Sequence, residues 1–299
     1  MTLLLQVDKL TKQYGDYQVV EAVSFELEEH TATALIGPNG AGKTTTLSML
    51  AGLVSSTEGT IQFQGKTHQD IRSIIGFLPQ YPKFFPWLSA LEFTEMAARL
   101  SGVKTKQALV EAKKTLEFVG LGEAMNKKTG TFSGGMKQRL GLAQAIVHKP
   151  KLLLLDEPVS ALDPVGRRQV MDLLKELQQE TTILYSTHIL NDAEEMTDQL
   201  LFLRQGKLVE HGSLDEVRSR YAEPRIVIEF ERLDELQRFI EMTMWQVTVK
   251  GLVASIDVRI EGAEMPEVLS VLSSGAFSVR KVERQTASLE EIFMKVAVV

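Results

Sequence analysis

The sequence predicts an α/β fold with a mixed β core, followed by a smaller α+β domain. Residues 152–155 are four consecutive leucines, as expected of a strand that is buried on both faces of a parallel sheet. A glycine-rich segment at residues 37–42 connects another apolar run, at residues 34–36, to a helical pattern. Because predicted strands alternate with predicted helices, a mainly parallel sheet covered by helices is favoured.

Hydrophobic periodicity orders the elements of the larger domain. Residues 17–28 alternate apolar and polar side chains, which is typical of an antiparallel strand, and Tyr14, Gly15 and Asp16 signal a turn before them. The elements predicted are strands at 3–8, 17–28, 31–36 and 59–65, a β-rich stretch at 71–78, helices at 89–101 and 105–119, a helix from Gly135 to about His148, a strand at 152–155, a helix at 164–179, a strand at 182–186, a helix at 189–196, and a hairpin of strands at 199–204 and 207–210.

A second domain is predicted after the charged segment around residues 213–220 and Pro224. We therefore expect one domain at 1–220, with an antiparallel β subdomain and a helical subdomain at about 81–140, and a second domain at 221–299. The elements predicted in the second domain are a strand at 226–228, a helix at 233–242, strands at 245–250 and 252–259, a helix at 264–274, a strand at 276–284 and a helix at 288–296.

Composition excludes several classes of protein. The 299 residues contain no cysteine, which excludes a disulfide framework and a cysteine-based metal site. No apolar run reaches the roughly 18 residues of a membrane span, and the N-terminal residues lack the pattern of a signal peptide, so we expect a cytoplasmic protein. A net charge of −6 is unlike that of a basic protein that binds nucleic acid.

The glycine-rich segment fits a phosphate-binding loop. It matches the pattern G-x-x-x-x-G-K-[ST] and has the strand-loop-helix context that this loop requires. Lys43 is expected to reach the β- and γ-phosphates of a nucleotide, and the Thr44 hydroxyl is expected to hold Mg²⁺. The nucleotide-binding residues predicted here are Gly37, Pro38, Asn39, Gly40, Ala41, Gly42, Lys43, Thr44 and Thr45.

Asp156 and Glu157 directly follow the four leucines. Ligands of open α/β sheets bind at the carboxyl ends of strands, where the phosphate loop also begins. Asp156 is therefore expected beside the Mg²⁺ held by Thr44, and Glu157 is expected to polarise a water against the γ-phosphate. The alternative is that these two carboxylates only cap a strand.

Two further polar residues follow strands. Gln80 can contact Mg²⁺ or the attacking water through its amide, and His188 can donate a hydrogen bond to a γ-phosphate. An isolated glutamine is usually a loop residue and an isolated histidine is usually structural. Both assignments therefore depend on the pattern of the whole chain.

That pattern closely resembles the nucleotide-binding subunit of an ATP-binding cassette (ABC) transporter over about residues 3–220. Six motifs agree with this family in order and spacing: residues 37–45, Gln80, residues 132–136, residues 152–157, residues 160–163 (Ser160, Ala161, Leu162 and Asp163) and His188. The resemblance implies ATP as the nucleotide and a P-loop ATPase core.

The resemblance also implies a role for each position. Tyr14 matches the aromatic residue that stacks on adenine, with Tyr17 as the alternative. Glu157 matches the catalytic base, helped by Lys43, Gln80 and His188, while Thr44, Gln80 and Asp156 match the Mg²⁺ ligands. Ser133, Gly134 and Gly135 match the signature motif, which contacts the ATP held by a partner subunit, so a dimer is implied.

The sequence departs from the usual family pattern in two places. Phe132 and Met136 replace the ends of a signature that usually reads Leu-Ser-Gly-Gly-Gln, although its serine and two glycines are intact. Glu29 and His30 stand where a Gly-Glu turn is common. We expect activity in spite of both departures.

Two segments suggest partners. Tyr81, Phe84, Phe85 and Trp87 follow Gln80, in the region that in this family receives a coupling helix of the membrane subunit; the alternative is that they pack the helical subdomain. Residues 287–293, which begin at Ala287, resemble a pattern near the C-termini of ATPase subunits of ABC-2-type exporters.

The function implied is an ATP-hydrolysing subunit that powers export by a separate membrane permease, with a second ATPase subunit as its partner and no nucleic acid. Such a subunit is peripheral on the inner face of the cell membrane. The alternative is a soluble cassette ATPase that acts on ribosomes or DNA, although those proteins usually carry paired cassettes or long coiled-coil insertions.

Overall fold

The computed structural model describes residues 2–67, 71, 73–160, 162–221, 224–285 and 288–298. Ala161 and Ala287, which belong to two of the motifs above, lie outside the described residues. The chain forms two compact units, one ending at Leu214 and including the last residues from Val296, the other running from Asp215 to Lys295. This division falls after Leu214, whereas the sequence analysis placed it after residue 220.

The first unit contains the elements that surround the phosphate loop. Its strands are β1 (Leu3–Tyr14), β2 (Tyr17–Glu28), β3 (Ala32–Ile36), β4 (Glu58–Phe63), β5 (Ile75–Leu78), β6 (Leu152–Asp156), β7 (Thr182–Thr187), β8 (Gln199–Arg204) and β9 (Lys207–Ser213). Its helices are α1 (Lys43–Leu50), α2 (Ala90–Leu100), α3 (Thr105–Phe118), α4 (Gly134–Ile146), α5 (Pro164–Gln178) and α6 (Leu190–Met196).

A six-stranded sheet in the order β5-β6-β7-β3-β8-β9 forms the centre of this unit. Neighbouring strands are parallel except for the hairpin of β8 and β9. All residues of β3, β6 and β7 are buried, and for β6 this was predicted from the apolar run at 152–155. The predicted α/β fold class is thus confirmed, and the carboxyl ends of β3, β6 and β7 meet at one edge.

A three-stranded antiparallel sheet in the order β2-β1-β4 packs into the same hydrophobic core. Strand β1 continues to Tyr14, whereas the sequence predicted its end at residue 8. The pairing shifts between Val7 and Leu10, and Lys9 has a φ of 46°, as in a β-bulge. The bulge breaks the apolar alternation by which the strand was recognised, so its second half was missed.

The helical subdomain contains α2, α3 and α4. Helix α2 begins with a capping box, in which the Ser89 hydroxyl accepts from the Glu92 N–H and the Glu92 carboxylate accepts from the Ser89 N–H. Two 3₁₀ turns, Gly122–Ala124 and Thr129–Thr131, then lead to Ser133 at the start of α4. No helix in the described part of the chain is long and apolar enough to span a membrane.

The second unit is a βαββαβ arrangement with a four-stranded antiparallel sheet. Its strands are β10 (Arg225–Phe230), β11 (Val247–Lys250), β12 (Val253–Asp257) and β13 (Val279–Gln285), in the sheet order β11-β12-β10-β13. Its helices are α7 (Leu214–Arg220), α8 (Leu233–Met242), α9 (Val258–Glu261), α10 (Met265–Ser274) and α11 (Leu289–Val298), of which the first residue of α7 and the last residues of α11 fall on the other side of the division.

Several elements of the second unit differ from the prediction. Strand β11 begins at Val247 rather than at residue 245, and β13 begins at Val279 rather than at residue 276. Strand β12 ends at Asp257 rather than at residue 259, because the Asp257 carboxylate accepts from the N–H groups of Arg259 and Ile260 and so starts α9. Helix α7 was not predicted at all. It is a single short helix in which Val217 is buried, too short to show a helical period in the sequence.

Candidate nucleotide-binding site

The phosphate loop lies between β3 and α1 at the carboxyl edge of the central sheet. A Cβ on Gly37 would lie 2.4 Å from the Leu203 carbonyl oxygen, so only glycine fits there. Gly40 and Gly42 have φ values of 81° and 101°, in the left-handed region that favours glycine. No side chain caps the N-terminus of α1. Its first N–H groups and the positive end of its dipole are therefore suited to an anion.

Lys43 is buried and folded back over the loop. Its ammonium donates to the carbonyl oxygens of Gly37 at 2.6 Å and Pro38 at 3.2 Å. Burial lowers the pKa of Lys43, and the nearby carboxylates of Glu157 and Asp156 oppose that shift. The ammonium is thus held at the loop by groups that a phosphate can replace.

Thr44 and Asp156 meet across the gap between α1 and β6. The Thr44 hydroxyl donates to Asp156 Oδ2 at 2.8 Å, and the Ser186 hydroxyl donates to Asp156 Oδ1 at 2.6 Å. The described residues contain no cluster of three or more His, Cys, Asp or Glu side chains that could hold a metal alone. One hydroxyl beside one carboxylate instead fits Mg²⁺ that takes its other ligands from phosphates and water.

Glu157 has an unusual backbone conformation at the end of β6. Its φ is 52°, which for a residue with a side chain costs about 1–2 kcal/mol. The Glu157 N–H donates to Ser186 Oγ at 2.9 Å, and Nδ1 of His188 donates to Glu157 Oε2 at 2.7 Å. The Lys43 ammonium lies 4.0 Å from Glu157 Oε1. The structure therefore brings Lys43, Thr44, Asp156, Glu157 and His188 together.

Gln80 stands near the same edge but is not bonded to these residues. Strand β5, which precedes it, pairs with β6 in parallel, with Leu78 opposite Leu155. In the described part of the chain, no hydrogen bond joins the Gln80 amide to Thr44 or Asp156. Its contact with Mg²⁺ or water remains a prediction.

The signature residues make no described hydrogen bond with this cluster. Ser133 caps α4, and its hydroxyl accepts from the Met136 N–H at 3.3 Å. Ser133 and Gly134 are exposed, and no described hydrogen bond or ion pair joins either of them to the phosphate loop. Their contact with ATP held by a second subunit stays a prediction.

Tyr14 and Tyr17 face each other as the last pair of β1 and β2. Tyr14 is 52% exposed and Tyr17 is 70% exposed. The Lys12 ammonium lies 4.8 Å from the centre of the Tyr14 ring and also donates to the Ser55 carbonyl at 2.7 Å. Among the described ring contacts, Tyr14 has this one and Tyr17 has none, and the stacking role of Tyr14 stays a prediction.

Replacing Tyr14 by Ala is expected to weaken ATP binding about 10-fold, since stacking of a base on an aromatic ring contributes about 1–3 kcal/mol. Isothermal titration with ATP measures the change. Tyr17→Ala is the matched control and should have a smaller effect. A larger loss of affinity in Tyr17→Ala would assign the stacking role to Tyr17.

The aromatic residues after Gln80 divide into two groups. Phe84 packs edge-on against Phe93 of α2 with ring centres 5.0 Å apart, and the Phe85 ring lies 6.4 Å from that of Phe93. Tyr81 and Trp87 are 74% and 65% exposed. Phe84 therefore packs the helical subdomain. Phe85 is 45% exposed and its ring lies 5.4 Å from that of Trp87, so Phe85 belongs with Tyr81 and Trp87 to an aromatic surface that faces solvent.

Ser186 is the one residue of the cluster that the sequence did not assign. Its only signal was its position two residues before His188 at the end of a strand. The hydrogen bonds to Asp156 and Glu157 join residues 30 and 29 positions away in the chain. Only the parallel pairing of β6 with β7 brings them together.

A glycine loop of this geometry, with Lys43 and Thr44 facing two carboxylates at the sheet edge, defines the chain as a phosphate-loop nucleoside triphosphatase. Residues 20–160 match the family described as ABC transporter, and residues 212–297 match the domain described as ATP-binding protein DrrA1-3-like, C-terminal domain. The first match lies within the larger compact unit, and the second covers the smaller one.

Known proteins resemble the chain over almost its whole length. The ABC transporter ATP-binding protein YxlF of Bacillus subtilis is 42% identical over 98% of this chain and 99% of its own length. The bacitracin transport ATP-binding protein BcrA of Bacillus licheniformis is 33% identical over 99% of this chain and 97% of its own length.

Solved structures show the same cassette. The ATP-binding subunit of an ABC transporter has a TM-score of 0.67 at 30% identity, over 73% of this chain and 93% of that chain. A dimeric ATP-binding cassette in a post-hydrolysis state with ADP and Pi has a TM-score of 0.65 at 26% identity, over 71% of this chain and 99% of that chain. The chain belongs to the ABC transporter family as an ATP-binding and ATP-hydrolysing subunit.

Proposed function

We propose that two copies of this chain close on two Mg-ATP molecules and that their hydrolysis powers export by a separate membrane subunit. The observation that carries the proposal is the hydrogen-bonded cluster at the sheet edge. There, Thr44 contacts Asp156, His188 contacts Glu157, and Lys43 lies between the loop and Glu157. Each group has the chemistry that phosphoryl transfer to water requires.

Each residue has a distinct part in the proposed reaction. The N–H groups of residues 37–45 cradle the phosphate chain, and Lys43 exchanges its carbonyl partners for phosphate oxygens. Thr44 and Asp156 would hold Mg²⁺, with Gln80 as a further predicted ligand, and Mg²⁺ bound there would neutralise charge on the phosphate oxygens. Glu157 accepts the proton of the attacking water, while the hydrogen bond from His188 keeps its carboxylate aimed.

The exposed start of α4 supports a site that is completed by a second copy. A Cβ on Gly134 would meet nothing within 4 Å, and the φ of Gly134 is not in the left-handed region. Neither packing nor backbone conformation within this chain therefore requires glycine there. Close approach of a phosphate group held by another subunit would favour a residue without a side chain there, since N–H groups at a helix start bind anions.

A double variant tests this arrangement. Glu157→Gln should accumulate an ATP-bound dimer, and adding Ser133→Arg should abolish that dimer while each chain still binds ATP. Size-exclusion chromatography with ATP measures dimerisation, and titration measures binding. Adding Gln107→Arg, at an exposed position of α3, introduces the same charge and should leave the dimer intact. A dimer that persists with Ser133→Arg contradicts the proposal.

The exposed aromatic residues support a membrane partner. Tyr81 and Trp87 are exposed and closely follow Gln80 in the chain. In the proposed function, a movement of Gln80 on contact with Mg²⁺ or water is transmitted to a protein docked on these side chains. Large aromatic side chains are the usual anchors of protein interfaces. Residues 212–297 match a domain named after DrrA-like ATP-binding proteins, and BcrA is named as a bacitracin transport protein; both similarities favour an exporter.

The proposed place of the chain is the inner face of the cell membrane, on its permease. Co-expression with candidate permeases, followed by purification from detergent, tests this directly. We expect an integral membrane protein to co-purify with the wild-type chain and to be lost from Trp87→Ala with Tyr81→Ala. Co-sedimentation with ribosomes instead would favour a soluble ATPase.

A further inference from the structure

Ser186 links the two carboxylate residues of the ATP site. It lies near the end of β7, in register with Asp156 of β6, and its side chain is fully buried. Its hydroxyl donates to Asp156 Oδ1 at 2.6 Å and accepts from the Glu157 N–H at 2.9 Å. A single hydroxyl, which can donate once and accept twice, thus serves two adjacent residues of the site.

We propose that Ser186 is a positioning residue for ATP hydrolysis, which orients the Asp156 carboxylate for Mg²⁺ and fixes the direction in which the Glu157 side chain leaves the backbone. The inference rests on the roles proposed above for Asp156 and Glu157. Ser186 itself touches neither ATP nor the attacking water. Its effect passes through these two residues.

The orientation of the Asp156 carboxylate follows from its two different partners. One oxygen accepts from Ser186 inside the sheet, and this leaves the other oxygen directed at the Thr44 hydroxyl. A hydrogen bond to an ionised acceptor is stronger than a neutral one, so it limits rotation of the carboxylate. Without Ser186, Asp156 would present its oxygens to a metal in more than one orientation, and Mg²⁺ tolerates little departure from octahedral geometry.

The direction of Glu157 follows from its backbone. At a φ of 52°, the residue turns sharply out of β6, and the Ser186 oxygen holds its N–H in that conformation. Strained residues of this kind persist only where the surroundings fix them. Release of the N–H would let Glu157 relax and would move its carboxylate away from Nδ1 of His188, which now lies 2.7 Å away.

A neighbouring buried hydroxyl provides a matched control. Thr33 lies on β3, opposite Leu184 of β7, and is 1% exposed. Unlike Ser186, its Oγ1 has no hydrogen-bond partner in the described structure. Thr33→Val therefore removes a buried hydroxyl from the same sheet without removing a hydrogen bond, and we expect it to leave activity unchanged.

The test compares Ser186→Ala with the wild type and with Thr33→Val. We expect the kcat of Ser186→Ala to fall about 10- to 100-fold, as for loss of hydrogen bonds to charged groups. The Mg²⁺ concentration for half-maximal hydrolysis should rise, and the KM for ATP should change little, because the phosphate loop is intact. Steady-state ATPase assays over a range of Mg²⁺ and ATP concentrations measure all three quantities.

A purely structural role gives a different result. In that case Ser186→Ala would lower the unfolding temperature, but the folded protein would keep the wild-type kcat and Mg²⁺ dependence, and this would overturn the inference. If Ser186→Ala does not fold, Ser186→Cys applies the same test, since a thiol is close in size but a weak donor. Full activity in Glu157→Gln, by contrast, would refute the proposed function and not the role of Ser186 alone.

Discussion

Replacing Glu157 by Gln is expected to lower kcat for ATP hydrolysis about 10²- to 10⁴-fold, the usual contribution of a general base. The amide cannot take the proton of the attacking water. ATP binding should remain close to that of the wild type, since the contacts of Lys43 with the loop and of Thr44 with Asp156 do not involve this carboxylate. A phosphate-release assay and an ATP titration on the same preparation separate the two quantities.

The structure makes this substitution a clean test. Glutamine has the shape of glutamate, and its amide oxygen can still accept from Nδ1 of His188, which donates to Glu157 Oε2 at 2.7 Å. The backbone hydrogen bond from the Glu157 N–H to Ser186 does not depend on the side chain. The variant therefore removes the basicity of the group and keeps its geometry.

The same variant should accumulate the closed dimer, because in the proposed cycle hydrolysis is the step that reopens it. Glu180→Gln, at an exposed position after α5, makes the same chemical change away from the site and should hydrolyse ATP at the wild-type rate. If Glu157→Gln kept full turnover, another group would have to accept the proton, and the assignment of the base would be wrong.

The fold could be predicted where a local sequence pattern is compatible with only one kind of secondary-structure element. The leucines of β6 are apolar on both faces, and this occurs where a strand is covered by helices on both sides. The end of β12 could not be predicted, because the apolar pattern continues through Val258 and Ile260. What ends the strand is the Asp257 side chain, which accepts from the backbone of α9. Here a local side-chain bond outweighs hydrophobic periodicity.

The residues of the site likewise divide into those that the sequence could assign and those that it could not. Lys43, Thr44, Asp156 and Glu157 could be assigned because the chemistry requires those residue types at fixed spacings beside a phosphate loop. Ser186 could not, since serine is common at strand ends and its two partners come from another strand. The left-handed backbone of Glu157 was equally hidden, because glutamate carries no sequence signal for a positive φ.

Replacing Lys43 by Ala is expected to weaken ATP binding about 10- to 100-fold, as for loss of a charge-assisted hydrogen bond in a buried site. Lys43 is only 7% exposed, and its ammonium already donates to the Gly37 and Pro38 carbonyls of the loop. The positive charge of Lys43 is therefore already positioned at the loop before ATP binds. Isothermal titration measures the loss, and Lys106→Ala, at an exposed position of α3, controls for the change in net charge.

The pH dependence of binding gives an independent measure of the same group. Burial is the main cause that lowers the pKa of Lys43, so the ammonium loses its proton at a lower pH than an exposed lysine does. ATP affinity of the wild type should therefore fall as the pH rises toward the ordinary lysine pKa, within the range where the fold is intact. Lys43→Ala should lack that alkaline decline, because it has no such proton to lose. Unchanged affinity in Lys43→Ala, or an alkaline decline that survives the substitution, would show that another cation neutralises the phosphates.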